Sequence, residues 1–301
     1  MPKHKSLYEH VAANKFKSSL MLAVFAAIVM GAGFVWGEYY GDGITGLMAA
    51  GIFTVVYGLI AYFKGAKIAL KVSGAKKADK RTHNELYSAV DNLAITAGLP
   101  TPEVYVIDSP ALNAFATGRD PKHSAIAVTT GLMEKLTKRE LKGVLAHEMS
   151  HIGNYDIRLQ TLVIILAGVF TMMSDLFMRA TFYGGNGNRG GGGSKGKAGG
   201  FIILFAIGLA LLSPLIAALI QMSISRKREF LADHTGAIMI QDAEALARAL
   251  EKIGGDKNQL KTANKATAHL FIKNPLKKGV IANLFSTHPP INERVKILRS
   301  S

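Results

Sequence analysis

The sequence has no cysteine and comparatively few acidic residues. Its 301 residues include 36 Lys and Arg but only 21 Asp and Glu, which gives a formal net charge of +15 at pH 7. The absence of cysteine excludes disulfide bonds and any zinc site built from thiolates, and it suits a reducing compartment. A metal site in this chain must therefore be assembled from His, Asp and Glu side chains.

The excess of basic residues lacks the pattern that accompanies nucleic-acid binding. The basic clusters are not interleaved with aromatic residues, and the sequence contains no known nucleic-acid-binding module. Many of the lysines lie instead beside long uncharged stretches, where they would face the anionic headgroups of a lipid bilayer. We therefore predict a lipid bilayer as a partner and no nucleic acid.

Charged residues are missing altogether from three long segments, which indicates a membrane protein. These segments are 18–37, 43–63 and 198–225. Each is long enough to cross a bilayer as an α-helix at about 1.5 Å per residue. A fourth hydrophobic segment, 159–178, contains Asp175 and either spans the membrane or dips into it.

The basic residues near these segments predict how the chain is oriented in the membrane. The tail 1–17 and the sequence after the second span are basic, whereas the turn 38–42 is acidic. We therefore expect 18–63 to form a transmembrane hairpin in a multi-pass protein of the cell (inner or plasma) membrane, with both termini cytoplasmic. The Gly-rich stretch 181–200 would be external, and it is more simply a flexible loop than a phosphate cradle.

The clearest chemical signal is the pentapeptide His147-Glu148-Met149-Ser150-His151. Residues four apart share one face of an α-helix, so both imidazoles can reach the same ion. Glu148 can then hold the attacking water, as in the H-E-x-x-H arrangement of zinc peptidases. Chance also produces such a pentapeptide, so its weight depends on the surrounding sequence.

The surrounding sequence predicts a helix with defined ends. Thr137 and Glu140 have the spacing of a capping box, which places the first turn directly after Thr137. Apolar residues with helical spacing follow, and Gly153 with Asn154 provides a stop. Both histidines therefore fall inside this helix.

The third ligand of a zinc site must come from another part of the chain. A catalytic zinc ion usually has three protein ligands and a fourth position for water. Glu229 and Asp233, four apart directly after the last uncharged stretch, are the leading candidates, with Glu229 as the ligand and Asp233 as the acceptor of a hydrogen bond from a ligating imidazole. The alternative is a solvated, charged helix end. Two crossings or two dips between His151 and Glu229 would return the chain to the same face of the membrane.

Two short runs before the catalytic helix, 103–108 and 124–129, have the composition of β-strands. Asn113, Ala114 and Phe115 lie between them, at a candidate edge of the sheet. An exposed edge could bind an extended peptide substrate by strand addition. Ordinary hairpin packing is the alternative interpretation of the same pattern.

The combined motifs resemble the HtpX-type membrane zinc peptidases, which are related to the prenyl-protein (CAAX) endopeptidases. The resemblance covers nearly the whole chain and rests on the two N-terminal spans, two later hydrophobic segments and the motifs at 113–118, 147–151, 225–233 and 286–290. It implies a mainly α integral membrane protein with up to four transmembrane helices and a cytoplasmic zincin-like α+β metallopeptidase domain. That domain would comprise 64–157 and 226–301, separated by a second hydrophobic hairpin at 158–225.

The resemblance also implies roles for individual residues. One Zn²⁺ per chain would be bound by His147, His151 and Glu229, and Glu148 would be the catalytic carboxylate. Asp233 would be the hydrogen-bond partner of a ligand. The resemblance further places His288 near the site as a stabiliser of the oxyanion, although a histidine in a Pro-Pro turn also fits the sequence; Arg294 either approaches the site or faces water.

The activity implied by the resemblance is proteolytic quality control in the membrane. The enzyme would be an endopeptidase that hydrolyses unfolded or damaged membrane proteins, often under stress. A prenyl-protein endopeptidase would share this chemistry, but the related CAAX enzymes have additional spans. A non-catalytic zinc-binding scaffold is a third possibility, and Glu148 argues against it because a structural zinc site needs no general base. The oligomeric state cannot be predicted from the sequence.

Overall fold

The computed structural model describes residues 7–166, 168, 226–260, 267–273 and 289–300. This part of the chain is mostly helical and contains a four-stranded sheet. The prediction of a mainly α protein with an α+β part and membrane-compatible helices is confirmed at this level.

Two long apolar helices lie near the N-terminus, α1 at Leu7–Tyr40 and α2 at Gly43–Val72. Both are long and apolar enough to cross a membrane, and only 22% and 6% of their most apolar windows are buried inside the protein. Such exposure suits helices that face lipid. The part of the predicted basic tail that the structure describes, 7–17, is helical and continuous with the predicted span 18–37.

Glycines let α1 and α2 pack closely. A Cβ atom added to Gly33 would collide with Ala50 and with the backbone of Gly46, and one added to Gly46 would collide with the backbone of Gly37. Small residues at such a contact allow the backbones of membrane helices to approach each other. The two helices therefore form a tight antiparallel pair.

Most of the second predicted hydrophobic hairpin lies outside the described residues. The segment 156–166 is helical, and Leu159 within it packs with Phe25 of α1. The predicted span 198–225 and the Gly-rich stretch 181–200 lie outside the described residues. Two membrane-compatible helices are therefore present in the described part of the chain, and a total of four remains a prediction.

The sheet is mixed, with the strand order β1-β2-β4-β3. Its strands are β1 at Ala75–Lys77, β2 at Glu103–Ile107, β3 at Ala114–Asp120 and β4 at His123–Thr129. The pairing of β2 with β4 is parallel, whereas β1 pairs with β2 and β3 pairs with β4 in antiparallel fashion. The two predicted strands correspond to β2 and β4, and the candidate edge is strand β3.

Side chains alternate between the two faces of the sheet along each strand, and both faces are buried. Ala116 and Ile126 lie on the face that packs against the helices of the α+β part. Phe115 and Ala127 lie on the opposite face, which packs against Ala69 near the C-terminal end of α2. The sheet is therefore held between the first membrane hairpin and a layer of helices.

The helical layer contains six helices among the described residues, one of which carries the pentapeptide and lies at the centre. These helices are α3 at Asn84–Ala97, α4 at Thr130–Lys135, α5 at Lys138–Gly153, α6 at Arg226–Ile240, α7 at Ala243–Gly255 and α8 at Ile291–Ser300. The central helix is α5, which contacts β3, α3, α6 and α7. Almost every residue from Gly143 to Ile152 is buried as a result.

The ends of α5 match the prediction. Thr137 Oγ1 accepts a hydrogen bond from the Glu140 N–H at 3.3 Å, and a Glu140 carboxylate oxygen accepts one from the Thr137 N–H at 2.8 Å. The capping box is therefore formed. The helix ends at Gly153, and Asn154 is its C-terminal cap.

We expect Thr137→Ala to lower the free energy of unfolding of the α+β part by about 1 kcal/mol, because it removes the acceptor for an N–H of the first turn. The change is measurable as a lower midpoint of denaturant or thermal unfolding. Thr96→Ala, at an exposed threonine of α3 that does not cap the helix, is the matched control. Equal effects of the two substitutions would contradict the role of the capping box.

Candidate metal centre

Two helices bring the three predicted ligands together. His147 and His151 lie one turn apart on α5, and Glu229 lies in the first turn of α6. All three residues are buried. One potential ligand atom from each lies within 4.8 Å of the others.

The separations between these atoms suit a shared zinc ion. The Nε2 atoms of His147 and His151 are 3.2 Å apart, and Glu229 oxygens lie 3.7 Å and 3.5 Å from them. Tetrahedral ligand atoms about 2.1 Å from a zinc ion lie about 3.4 Å from one another. The two imidazoles and the carboxylate therefore fit the donor set of a catalytic zinc site without cysteine.

Gly236 allows the two ligand-bearing helices to approach each other. A Cβ atom at this position would lie only 2.9 Å from the His147 backbone nitrogen and 3.1 Å from the Ala146 carbonyl carbon. A larger residue would therefore push α6 away from α5. Because Glu229 lies on the same helix as Gly236, this close contact brings its carboxylate within reach of the histidines.

Each histidine is oriented by a separate aspartate. The Nδ1 atom of His147 lies 2.9 Å from Asp233 Oδ1, and that of His151 lies 2.9 Å from Asp156 Oδ2. Such hydrogen bonds fix the ring orientation and leave Nε2 available as the ligand atom. Asp233 occupies the place that the sequence predicts for it.

Asp156 is a site residue that the sequence analysis missed. It lies just beyond the predicted helix stop, and helical spacing does not connect it with His151. Between them, Tyr155 has a left-handed backbone conformation with a φ angle of 60°, which is uncommon for a residue other than glycine. This turn returns the chain towards α5. The sequence signal that could have found Asp156 is the presence of a carboxylate five residues after a candidate ligand.

Buried arginines compensate the charges of both aspartates. Arg294 on α8 donates two hydrogen bonds to Asp233, at 2.7 Å and 2.6 Å, and Arg228 Nε lies 3.3 Å from Asp156. A buried carboxylate without such partners would be strongly destabilising. Burial opposes ionisation of Asp233, but the charge of Arg294 and its hydrogen bonds hold the pKa of this carboxyl group below its ordinary value. Of the two alternatives for Arg294, the structure shows the one in which it approaches the site.

The protonation of His151 is coupled to the carboxylates around it. Burial disfavours the charged imidazolium, but the hydrogen bond to Asp156 and the charges of Glu229 and Glu148 raise the pKa of His151 to about 9. The metal-free cluster therefore holds a proton on His151 at neutral pH. A zinc ion must displace this proton, since only the neutral imidazole is a ligand.

Glu148, the predicted catalytic carboxylate, lies inside the same cluster. It is 3% exposed and directly follows His147 on α5. Its negative charge acts on His151 and on Arg294. The Glu148 carboxylate is therefore buried and close enough to His151 to interact with its charge.

The predicted substrate-binding residues lie at the start of the edge strand, but their side chains belong to the protein interior. The Asn113 side chain donates a hydrogen bond to the Lys273 carbonyl oxygen at 2.8 Å and accepts one from the Lys273 N–H at 3.2 Å. Phe115 packs edge-to-face against Phe271, with ring centroids 5.0 Å apart, and Ala114 is fully buried. Any contact with a peptide at this edge must therefore use the backbone.

The outward-facing backbone groups of β3 are partly occupied by the chain itself. The Ala114 carbonyl accepts a hydrogen bond from the Ile272 N–H, and the Gly118 N–H donates one to Thr161 Oγ1. Since every second residue of an edge strand faces outward, Ala116 is the next in this series. Among the described residues, none has a hydrogen bond to the Ala116 backbone on this side. The predicted oxyanion residue, His288, lies outside the described residues.

A buried His-His-Glu cluster with an adjacent carboxylate, joined to two membrane-compatible helices, characterises a membrane metalloprotease. Residues 80–301 match the model of Peptidase family M48, and the chain belongs to this family. The family resemblance predicted from the sequence is thereby confirmed.

Three curated relatives are similar to this chain over nearly its whole length. "Protease HtpX homolog" of Caldanaerobacter subterraneus subsp. tengcongensis is 44% identical over 296 residues, which is 98% of each chain. The proteins of the same name from Thermoanaerobacter pseudethanolicus and Tropheryma whipplei are 43% and 42% identical, over 98% and 97% of this chain and 98% of each relative.

Among solved structures, the crystal structure of S. mikatae Ste24p aligns with 96% of this chain at 21% identity and a TM-score of 0.49. The chain covers 66% of that structure's length.

We expect the apparent affinity for zinc to fall about tenfold for each pH unit below 9, because one proton must leave His151 on binding. Competition with a calibrated chelator between about pH 6 and about pH 9 measures this slope. In Asp156→Asn the pKa of His151 is lower, so the fall begins at a lower pH. An affinity independent of pH across this range would contradict the assignment.

Proposed function

We propose that His147, His151 and Glu229 bind one catalytic Zn²⁺ per chain and that Glu148 is the general base of peptide hydrolysis. The observation that carries this proposal is the pair of Nδ1-to-carboxylate hydrogen bonds, which directs both Nε2 atoms towards Glu229. Peptidase family M48 consists of zinc-dependent metalloproteases, which supports the choice of metal.

The mechanism we propose is amide hydrolysis without a covalent intermediate. When bound, the zinc ion supplies a polarised water and a Lewis acid at the scissile carbonyl. Glu148 takes the proton of the attacking water and passes it to the departing amine. Asp233 and Asp156 keep the ligating imidazoles in place. Arg294 also holds the pKa of the Asp233 carboxyl group below its ordinary value.

We further propose that a peptide substrate adds to the edge of the sheet at β3. The outward-facing N–H and C=O of Ala116 would pair with an extended chain, as in other complexes formed by strand addition. Ala116 is only 2% exposed, so the substrate must first displace whatever covers this edge. Because β3 contacts α5 directly, a peptide on this edge lies close to the helix that carries Glu148. Backbone recognition of this kind suits an endopeptidase that accepts varied sequences.

We propose unfolded or damaged membrane proteins as the substrates, in proteolytic quality control under stress. The two apolar helices and the similarity to proteins named "Protease HtpX homolog" support this choice. The basic residues after α2 support a site and termini on the cytoplasmic side of a multi-pass protein in the inner or plasma membrane. His288 remains our candidate for stabilising the oxyanion.

We expect Glu148→Gln to bind zinc with nearly unchanged affinity and to lose at least about a hundredfold in kcat, because an amide cannot take the proton of water. The assay is cleavage of an unfolded membrane protein by the purified, detergent-solubilised enzyme. Glu134→Gln makes the same chemical change at an exposed position and should retain full activity.

Two further arms of this assay test the zinc mechanism and the substrate. A metal chelator should abolish cleavage, and added zinc should restore it. Undiminished activity of Glu148→Gln, or cleavage that a chelator does not affect, would refute the mechanism. Preferential cleavage of a farnesylated peptide would instead identify a prenyl-protein endopeptidase.

The edge-strand proposal predicts that methylation of one substrate backbone amide impairs cleavage strongly. In a series of otherwise identical peptides, each with one N-methylated amide, the peptide that loses its hydrogen bond to the Ala116 carbonyl should show the largest fall in kcat/KM. A single lost hydrogen bond corresponds to about a threefold to tenfold change. A uniform response across the series would show that the peptide does not pair with the edge.

A further inference from the structure

Asn14 connects the first membrane helix with the surroundings of the metal centre. It lies on α1, one turn before the uncharged run of that helix, and is only 3% exposed. Its Nδ2 group donates hydrogen bonds to Asp156 Oδ1 at 2.7 Å and to the Asn154 carbonyl at 2.9 Å. Its Oδ1 atom accepts one from Arg228 at 3.1 Å.

These three hydrogen bonds use every polar hydrogen of the Asn14 side chain. A carboxamide has two N–H donors and one carbonyl acceptor, and each has a buried partner here. All three partners lie more than 100 residues away in the sequence: Asn154 caps the end of α5, Asp156 follows it, and Arg228 lies on α6. An asparagine that was buried only by chance would not be expected to have a partner for both N–H groups and for the carbonyl oxygen.

The partners of Asn14 lead directly to two ligands. Asp156 binds Asn14 through Oδ1 and His151 through Oδ2, so the amide fixes the carboxylate that orients the imidazole. Arg228 immediately precedes Glu229 on α6. Asn14 therefore connects the end of α5, near His151, with the start of α6, near Glu229.

A neutral amide suits this position better than a charged group. The Asp156 carboxylate is 1% exposed and already lies beside the cation of Arg228. A second cation in place of Asn14 would compete for the same carboxylate and would itself have to be desolvated. A second carboxylate would repel Asp156 and could not donate to the Asn154 carbonyl. The amide supplies the donors without adding a charge.

We infer that Asn14 is a positioning residue of the metal centre, through which the membrane helix α1 becomes part of the zinc site. This inference rests on the proposed function, because it requires His151 and Glu229 to be ligands. It goes beyond that function by making zinc affinity depend on a residue of the first membrane helix. Displacement of α1 from the end of α5 would then lower both metal affinity and turnover.

The test uses the full-length protein in detergent or in bilayer discs and compares Asn14→Ala with Asn14→Asp. The zinc dissociation constant is measured by competition with a chromophoric chelator. Loss of a group that hydrogen-bonds a ligand directly typically weakens metal binding by about tenfold to a hundredfold. Asn14 acts on His151 through Asp156, so we expect a weakening at the lower end of this range, about tenfold, for Asn14→Ala. We expect at least as much for Asn14→Asp, which keeps the shape but removes the donors. With saturating zinc, kcat should fall more than KM rises.

Ser19→Ala is the matched control on the same helix. Its hydroxyl group is exposed and bonds only within α1, to the Lys15 carbonyl. This variant should bind zinc and cleave substrate like the unmodified protein. If Ser19→Ala weakened zinc binding as much as Asn14→Ala does, the effect would belong to α1 in general and the inference would be wrong.

The midpoint of thermal unfolding of the zinc-free protein separates positioning from simple stabilisation. A purely structural role for Asn14 would lower this midpoint and leave the zinc dissociation constant unchanged, which would overturn the inference. Unchanged affinity and unchanged turnover in both Asn14 variants would do the same. His147→Ala provides the distinction from the proposed function: if it bound zinc as well as the unmodified protein, the ligand assignment itself would fail.

Discussion

The site depends on two hydrogen bonds between imidazole and carboxylate groups that are buried in the protein. Each is 2.9 Å long and joins a histidine of α5 to an aspartate from another part of the chain. Burying a carboxylate requires compensating charge, and the compensating arginines come from α6 and α8. The need to orient each histidine with a charge-compensated aspartate therefore requires several distant segments of the chain to meet. The convergence of α5, α6 and α8 follows from it.

The α+β part packs on the membrane hairpin through one apolar contact and one hydrogen-bonded contact. The sheet has a buried face on each side, and the end of α2 covers one of them. α1 contributes Asn14, which donates a hydrogen bond to Asp156 and accepts one from Arg228. The aspartate that orients His151 is therefore bonded to a membrane helix as well as to its arginine. A hydrogen bond from a membrane helix is therefore part of the network that surrounds the candidate metal centre.

Local sequence patterns predict those features whose causes are themselves local. The capping box at Thr137, the helical spacing of the histidines and the uncharged runs at 18–37 and 43–63 all depend on neighbouring residues, and the corresponding helices are present. Asp156 escaped prediction because a left-handed turn at Tyr155 places it, and sequence spacing carries no record of that turn. Asn14 escaped because its partners are distant in sequence and its segment looked like a solvated basic tail. Asn113 is a predicted substrate-binding residue because it lies at a candidate strand edge, but its side chain is hydrogen-bonded to the backbone of Lys273.

The proposed pairing of a substrate backbone with β3 has a consequence for how substrates are selected. Among the described residues, Ala116 is the one outward-facing residue between two occupied positions, so a chain that paired there would gain about two hydrogen bonds, each contributing roughly 0.5–1.5 kcal/mol. Affinity of that size cannot extract a strand from a stable sheet. A polypeptide can use this edge only where its own backbone groups have already lost their partners. The enzyme would thus distinguish its targets by the state of their folding, with little need to recognise a sequence.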